Sequence, residues 1–318
     1  MKITVIGCGR WGSLITWYLD SLSHDITLYG KADAPQMIRF LATRKNDLLE
    51  LPESIKLSTN IQDVKTAQTV IIAIDSQGLQ GLFDELKPLD IKNKTFVLCM
   101  KGIEIATGRR LSEVASENLD KSNSVAVWLG PGHVQEFYNG IPNCMVIDSK
   151  DSEVKKRLIE AFSGPLIRFY YGEDLIGNEI GAAAKNVIGI AAGMLDGLNL
   201  SSLKGALMAR GTREIARLIA AMGGNELSAY GLCHLGDYEA TVFSKYSHNR
   251  RYGEAVVKKE DYTLLAEGYY TAKALMQLKE KYGVDLPICE TVYNVLYNGA
   301  DPSESINELF TRSLKSEF

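Results

Sequence analysis

An α/β fold, with a doubly wound sheet followed by an all-helical domain, is what this 318-residue sequence predicts. Three observations carry it. Short apolar, β-branched runs alternate with helix-compatible segments through the first half; a glycine-rich turn joins the first run to the first helix; beyond about Gly172 helical patterning takes over.

The strand-like runs are, in order, Ile3–Ile6, Asp25–Tyr29, Thr69–Ile74, Thr95–Met100, Ser124–Leu129, Cys144–Ile147 and Leu166–Tyr170. Several are continuously apolar rather than alternating, which is the pattern of a parallel sheet covered on both faces. Helical segments Ser13–Ser21, Gln77–Leu86 and Ser152–Phe162 lie between them. The second half reads as helices over Asn178–Leu195, Ser201–Met222, Glu226–Tyr230, Tyr262–Tyr282, Ile288–Tyr297 and Pro302–Arg312, with stops at Gly223-Gly224, Gly283 and Gly299. The expected division is residues 1–175 and 176–318, with an active site in the cleft between the two domains.

The first run opens into Gly7-Cys-Gly9-Arg10-Trp11-Gly12 and then the apolar segment Ser13–Leu22. A G-x-G-x-x-G spacing carries meaning in this strand-to-helix setting. Gly7 allows the tight turn, Gly9 lets a pyrophosphate approach the backbone, and Gly12 lets helix and sheet pack closely. The free N–H groups at the helix start favour phosphate. The first domain is therefore expected to be a Rossmann-type dinucleotide-binding domain.

Net charge is −4, and no basic, aromatic-interleaved face is visible, so nucleic acid is not an expected partner. The five cysteines are scattered without a CxxC pair, and the four histidines lack ligand spacing; reduced thiols in the cytoplasm and no metal are expected. The small-apolar tract Ile180–Leu195 holds Lys185 and Asn186 at its middle, so it reads as a buried helix rather than a stable membrane insertion. Met1-Lys2 leads directly into the first strand, so no secretory leader is expected. The sequence does not fix the assembly state, and a homodimer is compatible with it.

Three basic contexts offer chemistry. Lys101 directly follows the run Thr95–Met100, at the carboxyl end of a strand, where ligands of open α/β sheets bind. Lys185 sits among Gly, Ala, Val and Ile, where burial would lower its pKa toward the range of a proton donor or acceptor. Ser247-His248-Asn249-Arg250-Arg251, preceded by Gly236-Asp237, places an amide and guanidinium groups where they could clamp a phosphate. At the end of the second strand, Leu28-Tyr29-Gly30-Lys31 has no acid to bond a ribose hydroxyl, whereas Lys31 could receive a 2′-phosphate. That leaves NADPH or NADH as the cofactor, with NADPH or dual use favoured.

These elements, in this order, resemble the bacterial NAD(P)-dependent sn-glycerol-3-phosphate dehydrogenase family over nearly the whole chain. The resemblance rests on the glycine loop, Ser76-Gln77, Lys101-Gly-Ile-Glu104, Gly130-Pro131, Glu179-Ile-Gly-Ala-Ala-Ala-Lys-Asn186, Ala192-Gly-Met-Leu-Asp-Gly197, Gly236-Asp237, Asn249-Arg-Arg251, Glu267-Gly-Tyr-Tyr-Thr-Ala-Lys273 and Tyr282-Gly-Val-Asp-Leu-Pro287. It implies reversible NAD(P)H-linked reduction of dihydroxyacetone phosphate to sn-glycerol 3-phosphate, which feeds phospholipid synthesis. It further implies Lys185 as catalytic acid/base and Lys101 as the lysine that contacts substrate and cofactor. Asp237 would be a third catalytic residue, orienting a lysine or a substrate hydroxyl; with it Asn249, Gly130, Ser247, His248 and Arg250 would lie at the substrate, and Arg10, Trp11 and Glu267 at the cofactor.

The sequence departs from the family pattern at several positions. His248 stands where an arginine is usual, and imidazole cannot make the bidentate contact. Leu129-Gly130-Pro131-Gly132 replaces Ser-Gly-Pro-Ser/Asn, Asp75 replaces a common proline, and Tyr238–Phe243 lacks the usual Leu-Thr-Cys character. Two other readings stay open: a related two-domain dehydrogenase acting on another small hydroxy or keto compound, and a catalytically weak dinucleotide-binding sensor.

Overall fold

The computed structural model describes residues 1–313, so the last five residues of the expected second domain lie outside it. Eight strands form one sheet: β1 Lys2–Ile6, β2 Asp25–Tyr29, β3 Lys56–Ser58, β4 Thr69–Ile72, β5 Thr95–Leu98, β6 Ser124–Leu129, β7 Asn143–Ser149 and β8 Ile167–Tyr171. Their order is β3-β2-β1-β4-β5-β6-β7-β8. All neighbours are parallel except β6 and β7, which run antiparallel with Trp128 opposite Ile147. The doubly wound half-sheet is therefore as expected, but β7 reverses direction. Its connection from β6 carries only the short helix Val134–Tyr138, too little for a crossover that would keep the strands parallel.

The three-residue β3 has no counterpart among the expected strands because it is too short to show a periodicity. Helices Pro35–Thr43, Leu111–Asn118 and His248–Lys258 are likewise additional to those expected, and the helix expected from Tyr262 begins at Glu267. Central strands β4 and β5 are buried at every residue, which is why each is a continuous apolar run after its opening threonine, Thr69 or Thr95. Trp128 of β6 packs on Phe162 and edge-on against Phe169, filling the core on one side of the sheet.

The chain divides into two compact units. The first comprises Met1–Lys101 and Arg109–Glu179; Gly102–Gly108 belongs with the second, which continues from Ile180. The Gln277 side chain donates to the Ile105 carbonyl at 2.8 Å, one reason that short excursion counts with the second unit. The boundary falls inside the helix Leu175–Gly197, a few residues beyond the expected 175/176. In the first unit, Arg110 and Ser112 hold the buried Glu179 carboxylate at 2.6 Å each.

The second unit is helical and built around Ile180–Leu195, which is buried throughout. Glycines let other helices close on it. A Cβ at Gly193 would collide with the Arg250 carbonyl, and one at Gly253 with the Ile190 carbonyl. Helices Leu175–Gly197 and His248–Lys258 therefore cross in backbone contact, which no larger side chain permits. Among the described residues, no helix is long and apolar enough to cross a membrane.

Glu214, on helix Lys204–Ala221, accepts the Ile288 and Cys289 backbone N–H groups at 2.9 Å each. These are two of the N–H groups that the start of helix Pro287–Tyr297 cannot satisfy internally. Burial pushes the Glu214 carboxyl from 4.5 up to about 7, against those hydrogen bonds. The raised value means that the folded state keeps a proton the unfolded chain loses. Stability from this group is therefore full below pH 4.5 and lost as pH rises through about 7, on the order of 3 kcal/mol in all. Between about pH 5 and about pH 8, Glu214→Gln is expected to flatten the fall of Tm seen in the unaltered protein. Thermal unfolding across that range checks it; an unchanged slope would remove Glu214 as its source.

Candidate active site

In the first unit, β1 ends at Ile6 and Gly7 turns the chain with φ +111°, its N–H donating to the Tyr29 carbonyl at 3.0 Å. A Cβ at Gly7 would strike the Ala73 carbonyl, and one at Gly12 the Gly7 carbonyl. A Cβ at Gly9 would meet nothing within 4 Å. The protein's own packing thus demands glycine at 7 and 12 but not at 9. Gly9 is the N-cap of helix Arg10–Ser21, with no side-chain cap and no acid in the first turn. Such a helix start leaves amides to meet an anion, and the loop fits a dinucleotide pyrophosphate.

The remaining cofactor candidates of this unit lie close by in sequence and fold. Arg10 donates to the Gln135 side chain at 3.4 Å, and the half-buried Trp11 packs against Phe137 at a centroid distance of 6.0 Å. Lys31, just beyond β2, is mostly exposed and paired with Glu85 at 2.6 Å. The hydrogen bond from Lys31 to Glu85 raises the lysine's pKa. The cation expected to take a 2′-phosphate is therefore already opposite a carboxylate, a feature that sequence spacing of 54 residues could not reveal.

Lys101, past the end of β5, donates from Nζ to the Gly130 carbonyl at 2.5 Å, past the end of β6. Two residues expected at the substrate thus meet at the carboxyl ends of adjacent strands, where open α/β sheets bind ligands. Gly132 has φ +142°, and a Cβ there would strike the Phe137 ring. The glycine that departs from the family pattern is required by this backbone and its aromatic neighbour.

In the second unit, Lys185 projects from the buried helix with 7% of its surface exposed. Its Nζ lies 2.9 Å from Asp237 Oδ2 and donates to Thr241 Oγ1 at 2.7 Å. Asp237 and Thr241 are fully buried. An ion pair in such surroundings holds the lysine as ammonium, because either charge alone would bear the full cost of leaving water. Thr241 is not among the residues expected here. It stands four residues beyond Asp237 in the π-helical turn Glu239–Phe243, and nothing in an isolated threonine marks it.

Behind this pair, His234 is wholly buried, and burial pushes its pKa from 6.5 down to about 4. The ring is therefore neutral. Its Nδ1 lies 2.8 Å from the Gly181 carbonyl, and its Nε2 lies 2.7 Å from the Tyr238 hydroxyl.

Ser247 caps helix His248–Lys258, accepting from the Arg250 N–H. Asn249 donates to Asn186 Oδ1 at 3.0 Å and accepts the Gly268 N–H at 2.9 Å. It therefore ties the Lys185 helix, its own helix and the start of helix Glu267–Tyr282 together. Glu267, expected at the cofactor, occupies the first turn of that helix, where a carboxylate suits the helix dipole. His248 Nδ1 lies 2.8 Å from the Tyr262 hydroxyl. Arg250 donates from Nε to Asp196 at 2.6 Å, and the buried Lys204 donates to the same carboxylate oxygen at 2.7 Å. The structure thus gives the Nε donor of Arg250 to an internal carboxylate. Asp196 falls in the segment Ala192–Gly197 quoted for the resemblance, though with no role implied, and Lys204 carries no recognisable signal in the sequence.

Residues 2–155 match the family described as NAD-dependent glycerol-3-phosphate dehydrogenase N-terminus, and residues 174–307 match its C-terminus. The glycerol-3-phosphate dehydrogenase [NAD(P)+] of Thermoanaerobacter sp. is 35% identical, the alignment covering 100% of this chain and 99% of the relative. That of Fusobacterium nucleatum is also 35% identical, covering 100% and 98%. The crystal structure of glycerol-3-phosphate dehydrogenase from Coxiella burnetii superposes with a TM-score of 0.90 at 27% identity, covering 98% of each chain.

Replacing Asn249 by alanine removes two hydrogen bonds that join three helices. The expected cost is about 1–3 kcal/mol, read as a lowered Tm in thermal unfolding. An unchanged Tm would mean that the two bonds contribute nothing.

Proposed function

The chain belongs to the NAD-dependent glycerol-3-phosphate dehydrogenase family, and from that premise we propose how its residues divide the reaction. The protein is an NAD(P)-dependent oxidoreductase that interconverts dihydroxyacetone phosphate and glycerol 3-phosphate. The observation that carries the assignment of roles is the buried Lys185–Asp237–Thr241 cluster.

A bound reduced nicotinamide supplies the hydride that the substrate's carbonyl carbon accepts. Gly9 and the amides that open helix Arg10–Ser21 would hold its pyrophosphate, in a turn that Gly7 and Gly12 shape. The Lys185 ammonium gives its proton to the carbonyl oxygen as negative charge develops there, leaving an alcohol and a neutral amine. Asp237 keeps that amine charged beforehand and aims it; in the reverse direction the neutral amine takes the hydroxyl proton back. Lys101, anchored on the Gly130 carbonyl, adds positive potential at the reacting oxygen.

The phosphorylated end of the substrate we assign to the first turn of helix His248–Lys258, where Ser247, His248 and Asn249 lie. Arg250 acts there by orienting the turn through Asp196. The Lys31–Glu85 pair supports use of NADH as well as NADPH, since Glu85 already answers the lysine's charge. All five cysteines are free thiols, which supports a reducing, cytoplasmic setting.

The test is NADH and NADPH oxidation, followed by nicotinamide absorbance, with dihydroxyacetone phosphate and with unphosphorylated dihydroxyacetone. Rapid oxidation only with the phosphate ester is expected. In Lys185→Ala, turnover is expected to fall by about a thousandfold or more while NADH binding persists. Tight dinucleotide binding with no turnover on the phosphate ester would overturn the reading, and an active Lys185→Ala would remove Lys185 from its role.

A further inference from the structure

Asp237 does not sit beside Lys185 by virtue of its own backbone alone. It ends the single 3-10 turn Leu235–Asp237, a three-residue element with little intrinsic rigidity. The turn is flanked by two fully buried side chains, His234 before it and Tyr238 after it, which bond to each other. Because the Gly181 carbonyl can only accept, His234 carries its proton on Nδ1 and donates it there. Nε2 is then an acceptor, and the Tyr238 hydroxyl donates to it at 2.7 Å. The tautomer is locked from both sides.

The anchor point is significant. In an α-helix the Gly181 carbonyl is also the acceptor of the Lys185 N–H, four residues on. His234 thus grips the turn of helix from which Lys185 projects, and a Cβ at Gly181 would come within 2.9 Å of His234 Cβ. The Asp237 N–H in turn donates to the His234 carbonyl at 3.0 Å. One histidine therefore joins the backbone carrying the lysine to the backbone carrying its carboxylate.

We infer that His234 and Tyr238 are a positioning pair that sets the distance between Asp237 and the Lys185 ammonium and so sets the rate of proton delivery. Neither touches the substrate or donates a proton to it. The imidazole must stay neutral and in one tautomer; an imidazolium there would place a second positive charge behind the lysine. Of the device, only Tyr238 lies in the segment Tyr238–Phe243 that departs from the family's usual character; His234 precedes it. The inference rests on the reading of Lys185 as proton donor.

Tyr238→Phe removes one hydroxyl and nothing else, leaving His234 Nε2 without its donor; His234→Ala removes both bonds. Tyr238→Phe is expected to lower kcat for dihydroxyacetone phosphate reduction about tenfold, and His234→Ala about a hundredfold, with the KM values for substrate and NADH within about twofold of the unaltered protein. All are assayed well below each variant's Tm, so a fold defect cannot imitate a loss of kcat; if His234→Ala fails to fold, the kcat of Tyr238→Phe alone decides. A lowered Tm with unchanged kcat, or a rise in KM without a fall in kcat, would overturn the pairing. Lys185→Ala run alongside separates the two claims. If it is active, the reading of Lys185 fails; if it is inactive while Tyr238→Phe keeps full kcat, only the positioning pair fails.

Discussion

A lysine ammonium buried in a helix of glycine, alanine and branched aliphatics is the constraint around which the second unit is organised. Without a counter-charge such a group would cost several kcal/mol to remove from water, so the fold must bring it a carboxylate and further acceptors. Asp237 and Thr241 meet that need at 2.9 and 2.7 Å, both from the short non-α segments between helices Lys204–Ala221 and His248–Lys258. His234 and Tyr238 tie that irregular segment to the Lys185 helix, through the bond of the His234 ring to the Gly181 carbonyl and of the Tyr238 hydroxyl to that ring. The small residues serve the same end. Gly189 meets the Thr241 methyl, Gly193 the Arg250 backbone and Gly268 the Asn186 carbonyl, so the helices that carry these groups approach closely enough to deliver them.

The first unit obeys a different constraint, that of one strand-to-helix turn. Gly7 and Gly12 are dictated by the chain's own carbonyls, whereas Gly9 is not dictated by any protein atom. That separates the structural glycines of the loop from the one kept clear for a ligand. The carboxyl ends of β5 and β6 carry Lys101 and Gly130 into hydrogen-bonding contact, which shows how a parallel pair can place a charge reproducibly at its rim.

Much of this is legible in the sequence, for identifiable reasons. The short, predominantly apolar strand runs and the glycine turn are local signals, so seven of the eight strands and the loop's geometry can be read directly. The three-residue β3 and the antiparallel turn of β7 depend on pairing, which leaves no periodic trace. Lys185 is legible because a charge inside an apolar run is anomalous. Its partner Asp237 is indicated by the resemblance alone, and the roles of Thr241, His234 and Lys204 are invisible because they lie in contacts to Lys185, Gly181 and Asp196, 56, 53 and 8 residues away in sequence. Arg250 shows the opposite case. As one of two adjacent arginines it suggests a ligand clamp, yet its Nε is bound by a carboxylate 54 residues earlier.

The most direct test of the buried ion pair is the pH dependence of kcat for dihydroxyacetone phosphate reduction by Asp237→Asn beside the unaltered protein. Asparagine keeps the shape of the site and removes the charge that holds Lys185 protonated. The account predicts a lower kcat and an alkaline limb moved to lower pH by about one unit or more. An alkaline limb at the same pH in both proteins would contradict it.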